Sequence, residues 1–499
     1  MRVGYAHLQV SLGLAAFSPP QPAELRPVTR VEQMGDVLAI PTRMTPAAES
    51  PLSHLLFALK HEGTDLPIVM ETLARIPADQ LLATFQRTPN GSYIRVACYL
   101  WEVANGSLLM DGPTGAGGRW APVFDPARYH TAPMERHSRW RVGWNGLGTP
   151  RFCATVRRTP VLDALIAADT LQRARDYVEG LDGMLLDRAL AWAYLHETRD
   201  SFAIEREVPA EDRQRAFVAL LHQAHAREPL SEAYLVALQQ ATVANPLDRA
   251  ATFRHEQNWL QGPLRGSAGV TYVPPPPALA RELMESLMTF ANNRALQVQP
   301  LVAAAVVSFG FVFLHPFMDG NGRLSRFLIH HTLCRTGALR DGLILPVSVA
   351  IKTQEREYLR ALEGFSRPAR ARWNVTWLDE AQYAFDYRGD RGHAFYRYWD
   401  ATACVEFLLR MAEESLERGL RQEAEYLQRY DRVVRAVGER HDVRNSDLAT
   451  LVVSALDNGG RVSQRRRDQF GDRVPPIVFD AIEAAAAAAL AADATPHRP

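Results

Sequence analysis

One segment constrains this chain more than any other: His315-Pro316-Phe317-Met318-Asp319-Gly320-Asn321-Gly322-Arg323-Leu324-Ser325-Arg326. An apolar run, Leu301 to Leu314, precedes it and an apolar-periodic stretch follows, so these residues must form a loop between two helices. Gly320-Asn321-Gly322 at a helix start exposes backbone N–H groups, and the helix dipole favours an anion there. Arg323 and Arg326 lie three apart on one face, where guanidinium forks can grip phosphate oxygens. Asp319 supplies a hard oxygen for a magnesium ion shared with those phosphates. His315, just before the turn, is placed to take a proton from a hydroxyl. Pro316 and Phe317 read as structural, with Phe317 anchoring the loop in the core. A lone histidine at a helix end is usually a cap, and an Arg-x-x-Arg pair is usually a solvated face. Together and in this order they assemble a site for a nucleoside triphosphate, its metal and a hydroxyl nucleophile.

Composition removes several classes. The 499 residues carry 56 Lys and Arg against 56 Asp and Glu, so no overall field draws the chain to nucleic acid or to a membrane surface. Lys60 and Lys352 are the only lysines. Cys98, Cys153, Cys334 and Cys404 are far apart in apolar surroundings, with no CxxC pair or Cys/His cluster. Neither a zinc site nor a disulfide framework is expected. The start of the chain lacks a signal-peptide pattern, and the run 301–314 is too short to span a bilayer. The expectation is a soluble, cytoplasmic protein of two to four domains.

Residues 1–155 mix β-like runs with Gly/Pro punctuation, which predicts an α+β extension. Gly35 to Ile40 reads as a strand and Leu52 to Leu59 as helix. Asp111 to Gly118 is glycine-rich, but Gly118-Arg119 stands where a phosphate loop needs Lys-Ser/Thr, so it reads as a surface turn. From about 160 the spacing is helical: Leu162, Ile166, Leu171, Tyr177 and Leu181, then Phe217, Leu220, Leu221 and Ala224. The glycines between Phe253 and Tyr272 suggest a hairpin, and Pro274 to Pro277 leads into a helix carrying Leu279, Leu283 and Leu287. Beyond 370 the pattern is read as helical to the alanine-rich end, with a disordered tail at 491–499.

The string 315–326 resembles the signature of the Fic (filamentation induced by cAMP) family, HPFx[D/E]GNGRxxR, at every fixed position. The resemblance covers about residues 190–365. It implies a helical fold and transfer of AMP from ATP to Ser, Thr or Tyr hydroxyls of proteins. It implies His315 as general base and Asp319 as the Mg²⁺ ligand. Gly320, Asn321 and Gly322 would form the anion hole, Arg323 and Arg326 would bind phosphates, and Leu324 and Ser325 would complete the nucleotide-binding segment. The related Doc toxins, which phosphorylate, carry a lysine where this chain has Gly322, so adenylylation is implied. Ser201-Phe202-Ala203-Ile204-Glu205-Arg206 resembles the family's inhibitory helix, [S/T]xxxE[G/N], at Ser201 and Glu205, and departs from it at Arg206. Arg254-His255-Glu256-Gln257-Asn258-Trp259-Leu260-Gln261-Gly262, followed by Tyr272-Val273-Pro274, resembles the flap hairpin that docks a target segment by strand addition, with Trp259 to Gly262 as the docking residues. Tyr358 resembles a tyrosine lining the adenine pocket.

These readings predict a mainly α chain: an α+β extension at 1–155, a Fic-type helical core at 156–370 and a helical, winged-helix-like domain at 371–490. The core holds the inhibitory helix near 195–206, the signature loop and the flap. Arg461 and Arg465 to Arg467 read as a solvated patch rather than a DNA contact. The expected activity is adenylyl transfer from ATP, with Mg²⁺, to a protein hydroxyl, under autoinhibition. Removal of AMP from a modified protein and nucleotide sensing with little turnover are the alternatives. Self-modification and a homodimer are open, and neither nucleic acid nor membrane is an expected partner.

Overall fold

The computed structural model describes residues 1–493 apart from 17, 244, 341, 380, 381 and 390–392. Its contacts divide the chain into two compact units. The first comprises Met1–Asp169, Thr198–Gly342 and Ile351–Met411, and the second Thr170–Glu197, Leu343–Ala350 and Ala412–Pro499. This division does not follow the expected boundaries near 155 and 370.

The reason lies in a sheet. Strand Phe152–Arg157 pairs antiparallel with Leu147–Thr149 and parallel with Tyr398–Asp400, matching Cys153 with Tyr398 and Thr155 with Asp400. The Arg157 N–H donates to Thr402 Oγ1 at 2.9 Å, and its guanidinium meets Asp400 at 3.1 Å. Residues some 240 positions apart are thus joined by a ladder, and Ala394 and Tyr398 sit in the apolar core of the first 150 residues. The helices Pro51–His61, Leu66–Leu73, Ala78–Arg87 and Ser92–Asn105 build that core around Leu55, Val69, Leu81 and Leu100.

Helix Pro300–Leu314 is apolar on all sides, which marks a helix enclosed by protein. Proline stands in its first turn, and the side chain of Gln299 accepts from Val302 N at 2.8 Å to cap it. A Cβ on its Gly310 would lie 3.6 Å from the ring of Phe152, so the sheet packs directly on this helix. The helix stops where His315 turns into the left-handed region at φ 50°. Helix Asn321–Arg335 starts after Gly320, at φ 88°, and packs along Pro300–Leu314. The expected loop between two helices is therefore 315–320.

The expectation that the chain is helical again beyond 370 fails at once. Trp373–Asp379 and Gln382–Tyr387 form an antiparallel hairpin that pairs Trp373 with Tyr387 and Val375 with Phe385. Trp373, Val375 and Trp377 alternate with Asn374 and Thr376, Tyr383, Phe385 and Tyr387 alternate with the exposed Gln382, Ala384 and Asp386, and this period of two is that of a strand.

In the second unit, helices Gln422–Gly438, Asn445–Asp457, Gln464–Phe470 and Pro476–Asp493 enclose Val433, Leu451, Phe470 and Ile482. Among the described residues no strand accompanies them, so the winged variant of this helical region is absent. Arg467 turns inward, pairing with Glu483 at 2.6 Å and lying 5.1 Å from the Phe479 ring centroid. Helix runs to Asp493, which shortens the expected tail, and 494–499 lie outside the described residues. No described helix is long and apolar enough to cross a membrane, and all four cysteines are buried free thiols.

Candidate active site

His315 is buried, and its Nδ1 lies 3.1 Å from the carbonyl of Val312. A carbonyl only accepts, so Nδ1 carries the proton and Nε2 keeps its lone pair. Burial lowers the imidazole to about 4, which keeps it neutral at ordinary pH.

The loop around it is held from several sides. The amide of Asn321 is spent within the loop, accepting from Phe317 N at 3.0 Å and donating to Phe317 O at 2.8 Å. Phe317 is fully buried, edge-on to Phe253 at 5.5 Å, and is the anchor expected from sequence. Two residues of the segment that resembles the flap, Arg254 and Asn258, complete the clamp. Arg254 donates from Nε to His315 O at 2.9 Å and from its backbone to Pro316 O at 2.8 Å. Asn258 donates to Phe317 O at 2.8 Å. Arg254 is buried, and desolvation lowers its guanidinium to about 10. The resemblance included both residues without this contact, which is made with carbonyls some 60 positions away.

At the start of the second helix the first backbone N–H groups have no partner within the helix. Leu324 N bonds Gly320 O at 3.0 Å, its side chain is fully buried, and Ser325 Oγ donates to Gly322 O at 2.8 Å. Leu324 and Ser325 therefore turn their side chains to the packed face of the helix. Asp319 is half-exposed and accepts from Gly320 N at 2.6 Å and from Arg323 at 3.2 Å. Its open side leaves oxygen lone pairs for a cation, which fits a magnesium ion whose other ligands are phosphates and water.

Both signature arginines are buried, and each is already paired. Arg326 donates from Nε to Ser201 Oγ at 2.9 Å, and from Nη2 to Ser201 O at 2.6 Å and Glu205 Oε1 at 2.9 Å. A Cβ placed on Gly322 would lie 2.0 Å from Glu205 Oε1, so the carboxylate fills the space directly above that glycine. Arg323 meets Glu207 at 3.2 Å and stacks on Phe202, with its guanidinium carbon 5.2 Å from the ring centroid. Ser201 and Glu205 close the helix Gly183–Ile204, and Arg206 follows at φ 60°. There Arg206 N bonds Ala203 O at 3.0 Å and Glu207 N bonds Phe202 O at 3.1 Å, the paired bonds that terminate a helix through a left-handed residue. That position favours glycine or asparagine, which gives a physical meaning to the departure at Arg206.

Residues 229–333 match the Fic/DOC family model. The chain contains a Fic domain. Over 77 residues it is 32% identical to "Protein adenylyltransferase fic-1" of Caenorhabditis elegans, which is 15% of either chain. Over 102 residues it is 33% identical to "Protein adenylyltransferase Fic" of Drosophila willistoni, 19% of either chain. The match thus spans less than a fifth of these relatives' length. A Fic family protein from Desulfovibrio desulfuricans aligns in structure with 64% of this chain and 95% of its own, at 19% identity and a TM-score of 0.38.

Around the Fic domain the remaining candidates fall as follows. Leu260–Gln261 pairs antiparallel with Val270–Tyr272, which is the expected hairpin, and Gly262 N bonds Gly269 O at 2.7 Å. Trp259 packs on Tyr383 and Phe385, with ring centroids at 5.1 and 5.4 Å. Tyr358 is buried beside Phe407 and Phe309, close enough to Arg326 and Glu205 for both charges to act on its hydroxyl, which burial raises. Elsewhere, His7, Glu49 and His54 present ligand-type atoms within 4.8 Å of one another. Gly4 N donates to His54 Nδ1 at 3.2 Å, so the proton sits on Nε2, facing Glu49, and that nitrogen has no lone pair for a metal.

Proposed function

We propose that this chain is a protein adenylyltransferase that transfers AMP from ATP to a Ser, Thr or Tyr hydroxyl, held in check by Glu205. One observation carries the reading. An uncharged His315 with a free Nε2 stands at a Gly-Asn-Gly helix start, where the second signature arginine is held by a carboxylate of the chain itself. The names of the matched relatives support the same chemistry.

In this reading the target hydroxyl loses its proton to His315 Nε2 as its oxygen bonds to the α-phosphorus of ATP. The bond from that phosphorus to the bridging oxygen breaks, and pyrophosphate leaves with the electron pair. The backbone N–H groups of Asn321 and Gly322 and the guanidiniums of Arg323 and Arg326 face the phosphates and stabilise developing charge. Asp319 would hold Mg²⁺, which neutralises phosphate charge when bound. Tyr358 lines the nucleotide side, and the flap residues 259–262 receive the target segment by strand pairing.

Arg326 cannot grip a phosphate while Ser201 and Glu205 hold it. Incubating the purified chain and a cell lysate with α-labelled ATP tests the reading. AMP fixed to protein, seen as label and as a mass shift, supports it. Label released from pre-modified protein, with none fixed, replaces it with the removal reaction.

A further inference from the structure

The hairpin Leu260–Gln261 and Val270–Tyr272 is packed against a second hairpin, Trp373–Asp379 and Gln382–Tyr387. The root of the flap is tied to the reacting loop through Arg254 and Asn258, as described. Its far end is tied to residues 370–396. Arg370 donates from Nε to Val270 O at 2.9 Å and from Nη2 to Ser267 O at 3.0 Å. Its Nη1 holds Trp373 O at 3.0 Å, so one guanidinium joins a flap strand, the flap turn and the second hairpin. Trp373 Nε1 donates to Tyr396 Oη, which donates to Val273 O, both at 2.7 Å. Across the gap, Trp259 rests on Tyr383 and Phe385, and Val270, Val273 and Trp373 form the small apolar core beneath.

A two-stranded hairpin of two and three residues is not stable by itself in water. Here the flap gains its rigidity from the aromatic face of Trp373–Asp379 and Gln382–Tyr387. We propose that this second hairpin is a positioning element for the reaction, and that Tyr383 and Phe385, acting through Trp259, set where a docked target strand places its hydroxyl relative to His315. The inference rests on the transferase reading for its functional half and on geometry alone for its structural half. The hydrogen bonds and ring contacts of Tyr383 and Phe385 run to Trp259, Gln261, Gly266 and Trp373, away from the residues that would hold ATP, so ATP should bind and react with water independently of them.

The test compares Phe385→Ala and Phe385→Tyr in the full chain, both in a Glu205→Gly background so that turnover is measurable. Amide hydrogen exchange of residues 260–272 reports on the brace without reference to catalysis. Labelled ATP then gives two rates from one mixture: AMP fixed to lysate proteins, and free AMP formed with water as acceptor. Phe385→Ala is expected to speed flap exchange at least tenfold and lower protein labelling about tenfold, with AMP formation changed less than twofold. Phe385→Tyr, which keeps the ring, is expected to restore both.

Unchanged flap exchange in Phe385→Ala overturns the brace. Faster exchange with undiminished protein labelling overturns the positioning role. If flap exchange rises while even the parent fixes no AMP to protein, the brace stands and the adenylyltransferase reading falls.

Discussion

His315 illustrates how a single residue acquires its chemistry from position. Its Nδ1 is committed to a carbonyl one turn back in the preceding helix, and burial removes the charged form. His315→Ala should leave the fold and ATP binding intact and lower adenylyl transfer by about 10²–10⁴-fold, as loss of a general base does. Initial rates with labelled ATP check this.

The same burial has a stability consequence. With a folded value of about 4 against an ordinary 6.5, the unfolded chain binds the proton first as pH falls. Stability should therefore be complete above about pH 6.5, decline between 6.5 and 4, and lose at most roughly 3 kcal/mol through this one group. His331 is lowered to about 4 for the same reason and titrates in the same window. Urea midpoints of the parent and His315→Gln from pH 7 to 4.5 isolate the first contribution, with a shallower decline expected in the variant. The position of the His315 ring was legible because its neighbours in sequence are its neighbours in the site. The contacts of Arg254 and Asn258 with the loop were not legible, since they are made to carbonyls that the chain reaches only after folding.

At the scale of elements, the end of helix Gly183–Ile204 holds Arg326 through Ser201 and Glu205, and in the proposed reading that contact is the control. A charged hydrogen bond contributes about 1.5–3 kcal/mol, and a difference of about 1.4 kcal/mol is tenfold in population. Glu205→Gly is therefore expected to raise initial transfer rates at least tenfold at equal protein concentration. Arg326→Ala should stay inactive alone and in combination. Equal rates for Glu205→Gly and the parent would remove the inhibitory role.

Arg206 offers a finer check. A side chain held at positive φ costs about 1–2 kcal/mol, part of which glycine returns through its freer unfolded state. Arg206→Gly should stabilise the helix end by about 0.5–1 kcal/mol and lower basal transfer two- to fivefold, read from thermal unfolding and rates together. Sequence spacing singled out Ser201 and Glu205, which the fold brings to Arg326, but represented Arg206 only as a mismatch. The backbone angle turns that mismatch into a prediction. The hairpin beyond 370 was missed for a different reason: its alternation spans six or seven residues on each side, short enough to be overlooked beside long helical periods.

For the whole molecule, the informative fact is that the first 157 residues share a sheet with residues 398–400 and place Phe152 against the central helix. Nothing in local composition announces a parallel pairing across some 240 residues, and the boundary expected at 155 fell in the middle of a strand. A fragment beginning at residue 160 would expose one face of the Pro300–Leu314 helix and leave Tyr398–Asp400 without its partner strand. Such a fragment of the first unit should aggregate or unfold without cooperativity, as followed by solubility and thermal melting. A fragment that melts like the full chain would show that the sheet is dispensable.

In the proposed reading, the carboxylate above Gly322 also changes what nucleotide binding means for this chain. If only one molecule in about a hundred has Arg326 released, the apparent dissociation constant of any ligand needing that arginine rises by about the same hundredfold. A ligand that does not reach Arg326 is unaffected. In the proposed reading the terminal phosphate is what meets Glu205, so ADP should bind the parent and Glu205→Gly alike, whereas ATP should discriminate strongly between them. The resting chain would then prefer ADP, which lacks the phosphate that meets Glu205, to the reactive ATP, and any event that draws Glu205 away would reverse that preference without altering a single contact to the base or ribose.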